Sequence, residues 1–398
     1  MVNIPYARQD INQDDIDAAV EVLRSDFLTQ GPSVSIFEGH VSDYCIVKYA
    51  VACNSATSAL HIACLSLDVG KGDRVWTTSI SFVASANCAL YCGATIDFID
   101  IDSDTYNLSV DCLEEKLILA KKSNTLPKVV IAVHLAGQPC DMQSIYALGQ
   151  KYGFKIIEDA SHAIGAKYKN EPVGNCRYSE ITIFSFHPVK IITACEGGMA
   201  VTNNSRLAQK LSLLRSHGIT SSKTALQDSM FHDGLIKRPP EEIWNYQQID
   251  LGFNYRMSDV HAAIGTSQLK RLNLFISQRH EIASRYNIFL CDLPLTLPFQ
   301  AKDSYSAYHL YIVRLKLDKI NKTQRQVYET LCNSGIFVNL HYIPIYRQPY
   351  YEAMGFKKGY CVNAENYYSE ALTIPLYPTL KESQQNKVIT IIREILDK

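Results

Sequence analysis

The sequence predicts an α/β protein in which a largely parallel β-sheet lies between layers of helices. Short, nearly continuous apolar segments alternate along the chain with segments whose apolar residues recur at helical spacing. Continuous apolar strands are typical of parallel sheets that are covered on both faces. Small, hydroxyl or acidic residues follow directly after several of these strands. Because ligands of such sheets bind at the carboxyl ends of the strands, the pattern also predicts a ligand site along that edge.

The first half of the chain contains this alternation in its clearest form. Residues 14–24 have apolar side chains at helical spacing and acidic residues in the first turn, which favours a helix start there. Predicted helices cover residues 14–24, 35–44, 81–90 and 144–152, and a further helix ends at residue 67. Predicted strands cover residues 49–53, 73–78, 94–100, 129–134, 154–159 and 181–185.

The second half of the chain predicts a smaller domain. Residues 221–245 show no regular pattern and contain Arg238–Pro239–Pro240, so an excursion or flap is expected near residues 221–250. Helices are predicted at residues 260–272, 276–290 and 384–396, and strands at residues 310–315 and 337–341. The run at residues 276–290 is expected to bridge two domains. We therefore predict a large domain at residues 1–272 and a small α+β domain at residues 273–398.

Composition and charge exclude several classes of function. The chain has 398 residues, of which 47% are hydrophobic, and its 39 basic and 40 acidic residues leave a net charge of −1. Without a basic patch, neither a nucleic acid nor a membrane surface is an expected partner. Twelve cysteines occur with no C-x-x-C pair, which favours the reduced, packed thiols of a cytoplasmic protein. The first residues lack an apolar signal segment, and no apolar run approaches the roughly twenty residues of a membrane span.

Lys190 is the first candidate for chemistry. It lies in the segment ITIFSFHPVKIITACEGGMA, where apolar side chains on both sides would desolvate its amine. Desolvation favours the uncharged amine, which is the form that reacts with carbonyl groups. Ser185, five residues earlier, would be placed to bind an anion nearby. A solvated surface lysine is the alternative, and this segment alone leaves both interpretations open.

Three other features are compatible with the same chemistry. Residues 54–60 place small hydroxyl residues at a helix start, which suits either a phosphate cradle or an ordinary N-cap. Asp159 at a strand end can pair with a ring nitrogen or serve as a cap, and His162 follows it. Phe82 can stack on a flat ring or pack in the core. Together these features match pyridoxal 5′-phosphate, and G-x-G-x-x-G, Walker A, H-E-x-x-H and G-x-S-x-G motifs are absent.

Ordered motifs extend this interpretation over nearly the whole chain. Among them are LTQGP, CNSATSALH, SISFVASANCALYCGA, EDASHAIGA, SFHPVK, EGG, GFNYRMSD and NLHYIP. With these motifs the chain resembles the DegT/DnrJ/EryC1/StrS family of sugar aminotransferases. The resemblance implies the type I aspartate-aminotransferase fold, with a mostly parallel mixed sheet between helices. It also implies pyridoxal 5′-phosphate as the cofactor and a homodimer with shared active sites.

The resemblance assigns expected roles to individual residues. Lys190 would be the covalent anchor and acid/base, Asp159 would contact the pyridine nitrogen, and His162 would hydrogen-bond the ring hydroxyl. Further expected contacts are ring stacking by Phe82, phosphate binding by Thr57, Ser58 and Ser185, phosphate contact across the dimer by Asn254 with Arg256 nearby, and sugar-nucleotide contacts by Tyr6, Gln30, His341 and Tyr342. Two positions differ from the family's common residues: Cys195 replaces a small residue, and Ser161 replaces the frequent alanine.

The motifs NSATSAL, SFVASAN and SFHPVK are most similar to one branch of the family. That branch transfers an amino group from L-glutamate to C4 of a UDP-4-keto-6-deoxy-N-acetylhexosamine in pseudaminic acid biosynthesis. Another nucleotide-sugar C3 or C4 aminotransferase is an alternative. A pyridoxamine phosphate-dependent dehydratase is a second, although that branch has histidine at the position of Lys190. A non-enzymatic sensor would need an attached DNA-binding module, and the sequence contains no basic helix-turn-helix segment.

Overall fold

The computed structural model describes residues 3–220, 244 and 246–396. Its strands are β1 (Tyr49–Cys53), β2 (Arg74–Thr78), β3 (Thr95–Ile99), β4 (Val129–Val133), β5 (Lys155–Asp159), β6 (Lys167–Tyr168), β7 (Glu171–Pro172), β8 (Ile181–Ser185), β9 (Gly198–Thr202), β10 (Ile219–Thr220), β11 (Gln247–Gln248), β12 (Leu295–Thr296), β13 (Ser304–Tyr305), β14 (Tyr311–Leu315) and β15 (Ala371–Ile374). Its α-helices are α1 (Gln13–Leu23), α2 (Pro32–Cys45), α3 (Ala56–Ser66), α4 (Ala84–Tyr91), α5 (Val110–Ser123), α6 (Met142–Tyr152), α7 (Ser205–Arg215), α8 (Asp259–Leu269), α9 (Leu272–Leu290), α10 (Gln324–Asn333), α11 (Pro349–Glu352), α12 (Val362–Glu370) and α13 (Glu382–Leu396).

Seven strands form the central sheet in the order β1-β9-β8-β5-β4-β2-β3. Strands β3, β2, β4, β5 and β8 are mutually parallel, whereas β9 is antiparallel to both of its neighbours. The predicted mostly parallel sheet is therefore confirmed, and each of its six predicted strands is present. All residues of β4, β8 and β9 are buried, as expected for strands that are covered on both faces.

Strand β9 had no counterpart among the sequence predictions. Its direction follows from the connection that precedes it, which spans the twelve residues between Ser185 and Gly198. A parallel return usually runs through a crossover helix, which these twelve residues do not form, whereas an antiparallel return needs only a loop. The chain therefore leaves β8, passes through the loop that carries Lys190, and pairs β9 against β8 with Ser185 opposite Gly198.

One secondary-structure prediction was wrong, and one predicted helix begins three residues later than expected. Residues 337–341 do not form a strand. Asn339 makes only an isolated bridge to Thr373, and Phe337 donates its backbone N–H to the carbonyl of Ile4 at 2.9 Å. The Asn339 side chain accepts the N–H of Leu340, which takes that donor out of a ladder. The helix predicted at residues 81–90 begins only at Ala84, so Phe82 lies in the preceding loop. The flap expected near residues 221–250 lies largely outside the described residues.

Helix α9 contributes to two hydrophobic clusters. Its first turns place Phe275 and Ile276 in the cluster beside β8 and β9. Its later turns place Ile282 and Tyr286 in a second cluster, with the three-stranded antiparallel sheet β12-β14-β15 and helices α10 and α13. The division at residues 272 and 273 stays a prediction. Within the described residues, no helix is both long and apolar enough for a membrane span.

Gly198 lets β9 approach the first turn of α3 closely. A Cβ at this position would lie 2.3 Å from the backbone nitrogen of Ala56 and 2.5 Å from the carbonyl oxygen of Ser55. Backbone atoms cannot move aside as a flexible side chain does. We therefore expect Gly198→Ala to lower the free energy of unfolding by about 1–3 kcal/mol. Thermal unfolding measures the loss, and Gly70→Ala is the control because no heavy atom lies within 4 Å of its added Cβ.

Candidate active site

A cavity of about 490 Å³ opens at the carboxyl edge of the parallel strands. The turns after β1, β2, β5 and β8 all contribute to its wall. Of the residues predicted from the sequence, those that line the cavity are Tyr6, Thr57, Phe82, Asp159, His162, Ser185, Lys190, His341 and Tyr342. Side chains from distant parts of the chain are therefore collected in one place.

Lys190 lies in the loop between β8 and β9, where its backbone N–H donates to the carbonyl of His187 at 2.9 Å. Its side chain is half-buried, and its neighbours Ile191 and Ile192 are buried. Burial lowers the pKa of the Lys190 amine from 10.5 to about 8, against the opposing attraction of the Asp159 carboxylate. With a pKa of about 8, about a tenth of the amines are uncharged at pH 7.

The lowered pKa of Lys190 predicts how the rate of chemical labelling of its amine depends on pH. As the pH rises through about 8, the Lys190 amine loses its proton and becomes nucleophilic. Acetic anhydride should therefore label Lys190 of the cofactor-free protein at a rate that rises up to about pH 8 and then levels off. Quantitative peptide mass spectrometry measures the labelling, with exposed Lys358 as the internal reference. A rate that continues to rise toward pH 10.5 would contradict the prediction.

Asp159 ends β5, and its carboxylate is almost wholly buried, with 4% of the residue exposed. One oxygen accepts the hydroxyl of Ser85 at 2.6 Å, and the other accepts the hydroxyl and the backbone N–H of Ser161 at 2.6 and 3.1 Å. Among the described residues, no lysine, arginine or histidine lies within 4 Å of this carboxylate. A buried carboxylate held only by neutral donors can bind a cationic N–H group from a ligand.

Helix α3 points its amino terminus at the cavity. Ser55 caps the helix by accepting the N–H of Ser58 at 3.1 Å, and Thr57 faces the cavity together with Ser185 from the end of β8. The unpaired N–H groups and the positive end of the helix dipole favour an anion here. Ser58 is buried and does not line the cavity, and its hydroxyl lies 3.0 Å from that of Ser55. Its expected phosphate contact stays a prediction.

Both ring nitrogens of His162 have partners. Nδ1 accepts the backbone N–H of Ala136 at 3.2 Å, and Nε2 lies 3.2 Å from the hydroxyl of Tyr342. Burial, together with the charges of Lys190 and His341, lowers the pKa of His162 well below its ordinary value. The imidazole is therefore neutral. Its expected bond to a cofactor hydroxyl would compete with the contact to Tyr342, so that role stays a prediction.

Aromatic side chains form the outer wall. Phe82 is 58% exposed in the loop before α4, and its ring centroid lies 6.3 Å from that of Tyr342. Tyr6 from the first segment of the chain packs 5.2 Å from His341. An exposed aromatic ring on a cavity wall offers a face for stacking with a flat ligand.

Besides Ser58, three predicted residues do not line this cavity. Gln30 is exposed just before α2, and Asn254 is exposed and Arg256 half-buried in the loop before α8. That loop is nevertheless adjacent to the α3 terminus, since the carbonyl of Tyr255 accepts the N–H of Asn54 at 2.8 Å. The roles expected for these residues remain predictions.

Two residues that the sequence did not single out belong to the site. Ser85 holds Asp159 and is itself 2.8 Å from the hydroxyl of Ser81. His309 lines the cavity, and its ring centroid lies 4.4 Å from that of His162. The only sequence signal for Ser85 was its presence in SFVASAN, and His309 had none.

The residues present fit pyridoxal phosphate. The α3 terminus and Ser185 suit its phosphate, and the buried carboxylate of Asp159 suits a protonated ring nitrogen. The lowered pKa of Lys190 suits covalent attachment to its aldehyde. Phe82 offers a stacking face on the same cavity. The residues of the cavity therefore suit the phosphate, the ring nitrogen, the aldehyde and the ring face of this cofactor.

Comparisons with known proteins agree with this chemistry. The family model of the DegT/DnrJ/EryC1/StrS aminotransferases matches residues 9–393. The UDP-4-amino-4,6-dideoxy-N-acetyl-beta-L-altrosamine transaminase of Campylobacter jejuni is 37% identical over 396 residues, covering 99% of this chain and 98% of that protein. The structure of Helicobacter pylori PseC, an aminotransferase involved in the biosynthesis of pseudoaminic acid, has a TM-score of 0.88 at 29% identity and covers 99% of both chains. The PLP form of Spr1654 from Streptococcus pneumoniae has a TM-score of 0.85 at 26% identity over 99% of this chain and 100% of that one. These likenesses confirm the predicted fold class and cofactor.

Proposed function

Because this chain belongs to the DegT/DnrJ/EryC1/StrS aminotransferase family and is a pyridoxal phosphate-dependent sugar aminotransferase, we propose that it acts on a UDP-linked keto sugar. The amino group would come from L-glutamate and enter at C4 of a UDP-4-keto-6-deoxy-N-acetylhexosamine. The observation that carries this proposal is the cavity in which Lys190 and Asp159 face the amino end of α3. The choice of sugar is supported by the 37% identity to the altrosamine transaminase of C. jejuni.

Each residue of the cavity has a proposed role that follows from its position. When bound, pyridoxal phosphate supplies a carbonyl group that carries nitrogen and a ring that withdraws electrons. Lys190 would hold it covalently and, once displaced by the amino donor, would move a proton from the donor's α-carbon. An amine with a pKa of about 8 can both accept and return that proton near neutral pH. Asp159 would keep the ring nitrogen protonated, and Ser185 with α3 would fix the phosphate.

A homodimer with shared active sites is part of the proposal. Asn254 is exposed, does not line the cavity of its own chain, and lies on the loop bonded to Asn54. From that position Asn254, with Arg256 nearby, would reach the phosphate site of a second copy. Mixing inactive Lys190→Ala protein with Asn254→Ala protein tests this arrangement. Hybrid dimers should regain activity at one intact site, whereas independent sites would give no recovery beyond that of the separate proteins.

The substrate is tested with a panel of UDP- and dTDP-linked keto sugars. We expect mass spectrometry to find a new amino sugar with the UDP-4-keto-6-deoxy-N-acetylhexosamine, and 2-oxoglutarate formed in equal amount from L-glutamate. NMR of the product locates the nitrogen at C3 or C4. A product that has lost its hydroxyl group without gaining nitrogen would identify the dehydratase reaction instead. Turnover of only dTDP sugars would overturn the proposed nucleotide.

We also propose a cytoplasmic location, where UDP sugars are available; fractionation of cells tests it.

A further inference from the structure

The two carboxylate oxygens of Asp159 are not equivalent. Oδ1 accepts the hydroxyl of Ser161 at 2.6 Å and its backbone N–H at 3.1 Å, whereas Oδ2 accepts, among the described residues, only the hydroxyl of Ser85 at 2.6 Å. A carboxylate oxygen can accept about two hydrogen bonds. The acceptor position that the protein leaves for a ligand is therefore on Oδ2, beside Ser85.

The hydroxyls of Ser81 and Ser85 form a chain of hydrogen bonds with one direction. Ser85 gives its only hydroxyl proton to Asp159, so the bond of 2.8 Å between the two serines must be donated by Ser81. Ser85 is fully buried, and Ser81 is 4% exposed at the wall of the cavity. In a buried chain each donated bond polarises the next one, which strengthens the bond that reaches the carboxylate.

Backbone contacts fix Ser85 in the first turn of α4. Its backbone N–H donates to the carbonyl of Phe82 at 3.2 Å, and its own carbonyl accepts the thiol of Cys88 at 3.5 Å. The adjacent Ala84 and Ala86 are buried. A donor held in this way needs little reorganisation when a positive group approaches the carboxylate.

We propose that Ser85, supported by Ser81, is a positioning residue that determines where the proton between Asp159 and the ring nitrogen of the cofactor lies. That proton has two possible positions, on the nitrogen or on Oδ2. The hydroxyl that Ser85 donates to Oδ2 stabilises the charged oxygen and lowers its affinity for the proton. The proton therefore stays on the nitrogen, where its charge lets the ring withdraw electrons. The inference rests on the proposed contact between Asp159 and the ring nitrogen.

The test compares serine variants of the complete enzyme. Ser85→Ala leaves no protein donor on Oδ2 and should lower kcat by about tenfold or more with the KM for L-glutamate little changed, since hydrogen bonds to charged groups are strong. Ser161→Ala keeps its backbone donor on Oδ1 and should lower kcat by less than about threefold. Ser85→Cys has nearly the same volume and a weaker donor, so its kcat should lie between those of Ser85→Ala and the unaltered enzyme. It carries the test if Ser85→Ala does not fold.

Ser66→Ala is the matched control. Ser66 is 2% exposed near the end of α3, and within the part of the chain that the structure describes its hydroxyl has no hydrogen-bond partner. Removing this buried hydroxyl should leave kcat unchanged. A loss equal to that of Ser85→Ala would show that the effect comes from the fold and would overturn the inference.

The position of the proton is measured by ¹⁵N NMR of the enzyme loaded with ring-labelled pyridoxal phosphate, which needs no sugar. The unaltered enzyme should give the signal of a protonated ring nitrogen, and Ser85→Ala a signal moved toward that of an unprotonated one. If Asp159→Asn leaves the signal unchanged, the contact between Asp159 and the nitrogen fails, and the inference fails with it. If Asp159→Asn moves the signal while Ser85→Ala and Ser85→Cys do not, the contact stands and only the inference about Ser85 is overturned.

Discussion

Replacing Lys190 with alanine is expected to abolish turnover, with kcat lower by about 10⁴-fold or more. The change would remove the two functions proposed for Lys190, the covalent attachment of the cofactor and the base that moves the α-proton of the amino donor. The fold should survive, because the side chain is half-buried and makes no ion pair within the described residues. Steady-state release of 2-oxoglutarate from L-glutamate measures the loss, and Lys358→Ala, an exposed lysine far along the chain, is the matched control.

Adding a small amine to the Lys190→Ala variant shows whether the lost activity comes from the missing amine or from a disturbed fold. If Lys190 supplies a base, methylamine or ethylamine should diffuse into the cavity of the alanine variant and restore part of the rate. The restored rate should follow the concentration of the uncharged amine as the pH is varied. A variant that keeps more than a few per cent of normal multiple-turnover activity without added amine would exclude Lys190 as the essential residue.

Residues that stand directly at or just after the ends of strands were predictable from the amino-acid sequence. Asp159 and Ser185 end β5 and β8, and Lys190 follows in the next loop. Apolar runs in the sequence identify such strands, and their carboxyl ends meet at one edge of a parallel sheet. The local sequence pattern was therefore sufficient to predict that these side chains lie close together, although it does not show which strands are neighbours in the sheet.

Other parts of the site depend on contacts that no local pattern encodes. Ser85 and Asp159 are hydrogen-bonded although 74 residues separate them, and His162 meets Tyr342 across 180 residues. Residues 337–341 contain the apolar residues of a strand, yet they join Thr373 by a single bridge. Whether such a segment pairs depends on which edge of a sheet is free, and the sequence of the segment does not contain that information.

Ser161, which stands where the family frequently has alanine, provides an additional hydrogen-bond donor to Asp159. From sequence it was only a hydroxyl residue in place of the frequent alanine. In the structure its hydroxyl donates to Asp159 at 2.6 Å, in addition to its backbone N–H at 3.1 Å. Alanine would keep the backbone donor and lose the hydroxyl. The extra donor stabilises the charged carboxylate. Because a change at Ser161 would remove only one of the donors to this carboxylate, a change at Asp159 itself is the more informative test.

Asp159→Asn is expected to lower kcat by about 10²- to 10⁴-fold while leaving the fold intact. The amide is isosteric, and its oxygen can keep the bonds from Ser161. Its NH₂ group would then face Ser85, whose hydroxyl can accept this donor and turn its own proton toward Ser81 at 2.8 Å. The substitution therefore removes the charge and keeps the hydrogen bonds. In the role proposed for Asp159, the lost charge would no longer keep the ring nitrogen of the cofactor protonated, and the ring would withdraw electrons less strongly.

Asp141→Asn is the matched control for this charge removal. Asp141 caps α6 and, like Asp159, accepts a serine hydroxyl at 2.6 Å, but it does not line the cavity. Asparagine is an equally good N-cap, so both stability and kcat should stay near normal. If both variants lose activity equally, the effect comes from the fold and not from the charge at the site. If Asp159→Asn keeps a normal kcat, the reaction does not use the charge of this carboxylate, because a charge that the reaction uses cannot be removed without slowing it. The buried carboxylate would then contribute only to packing.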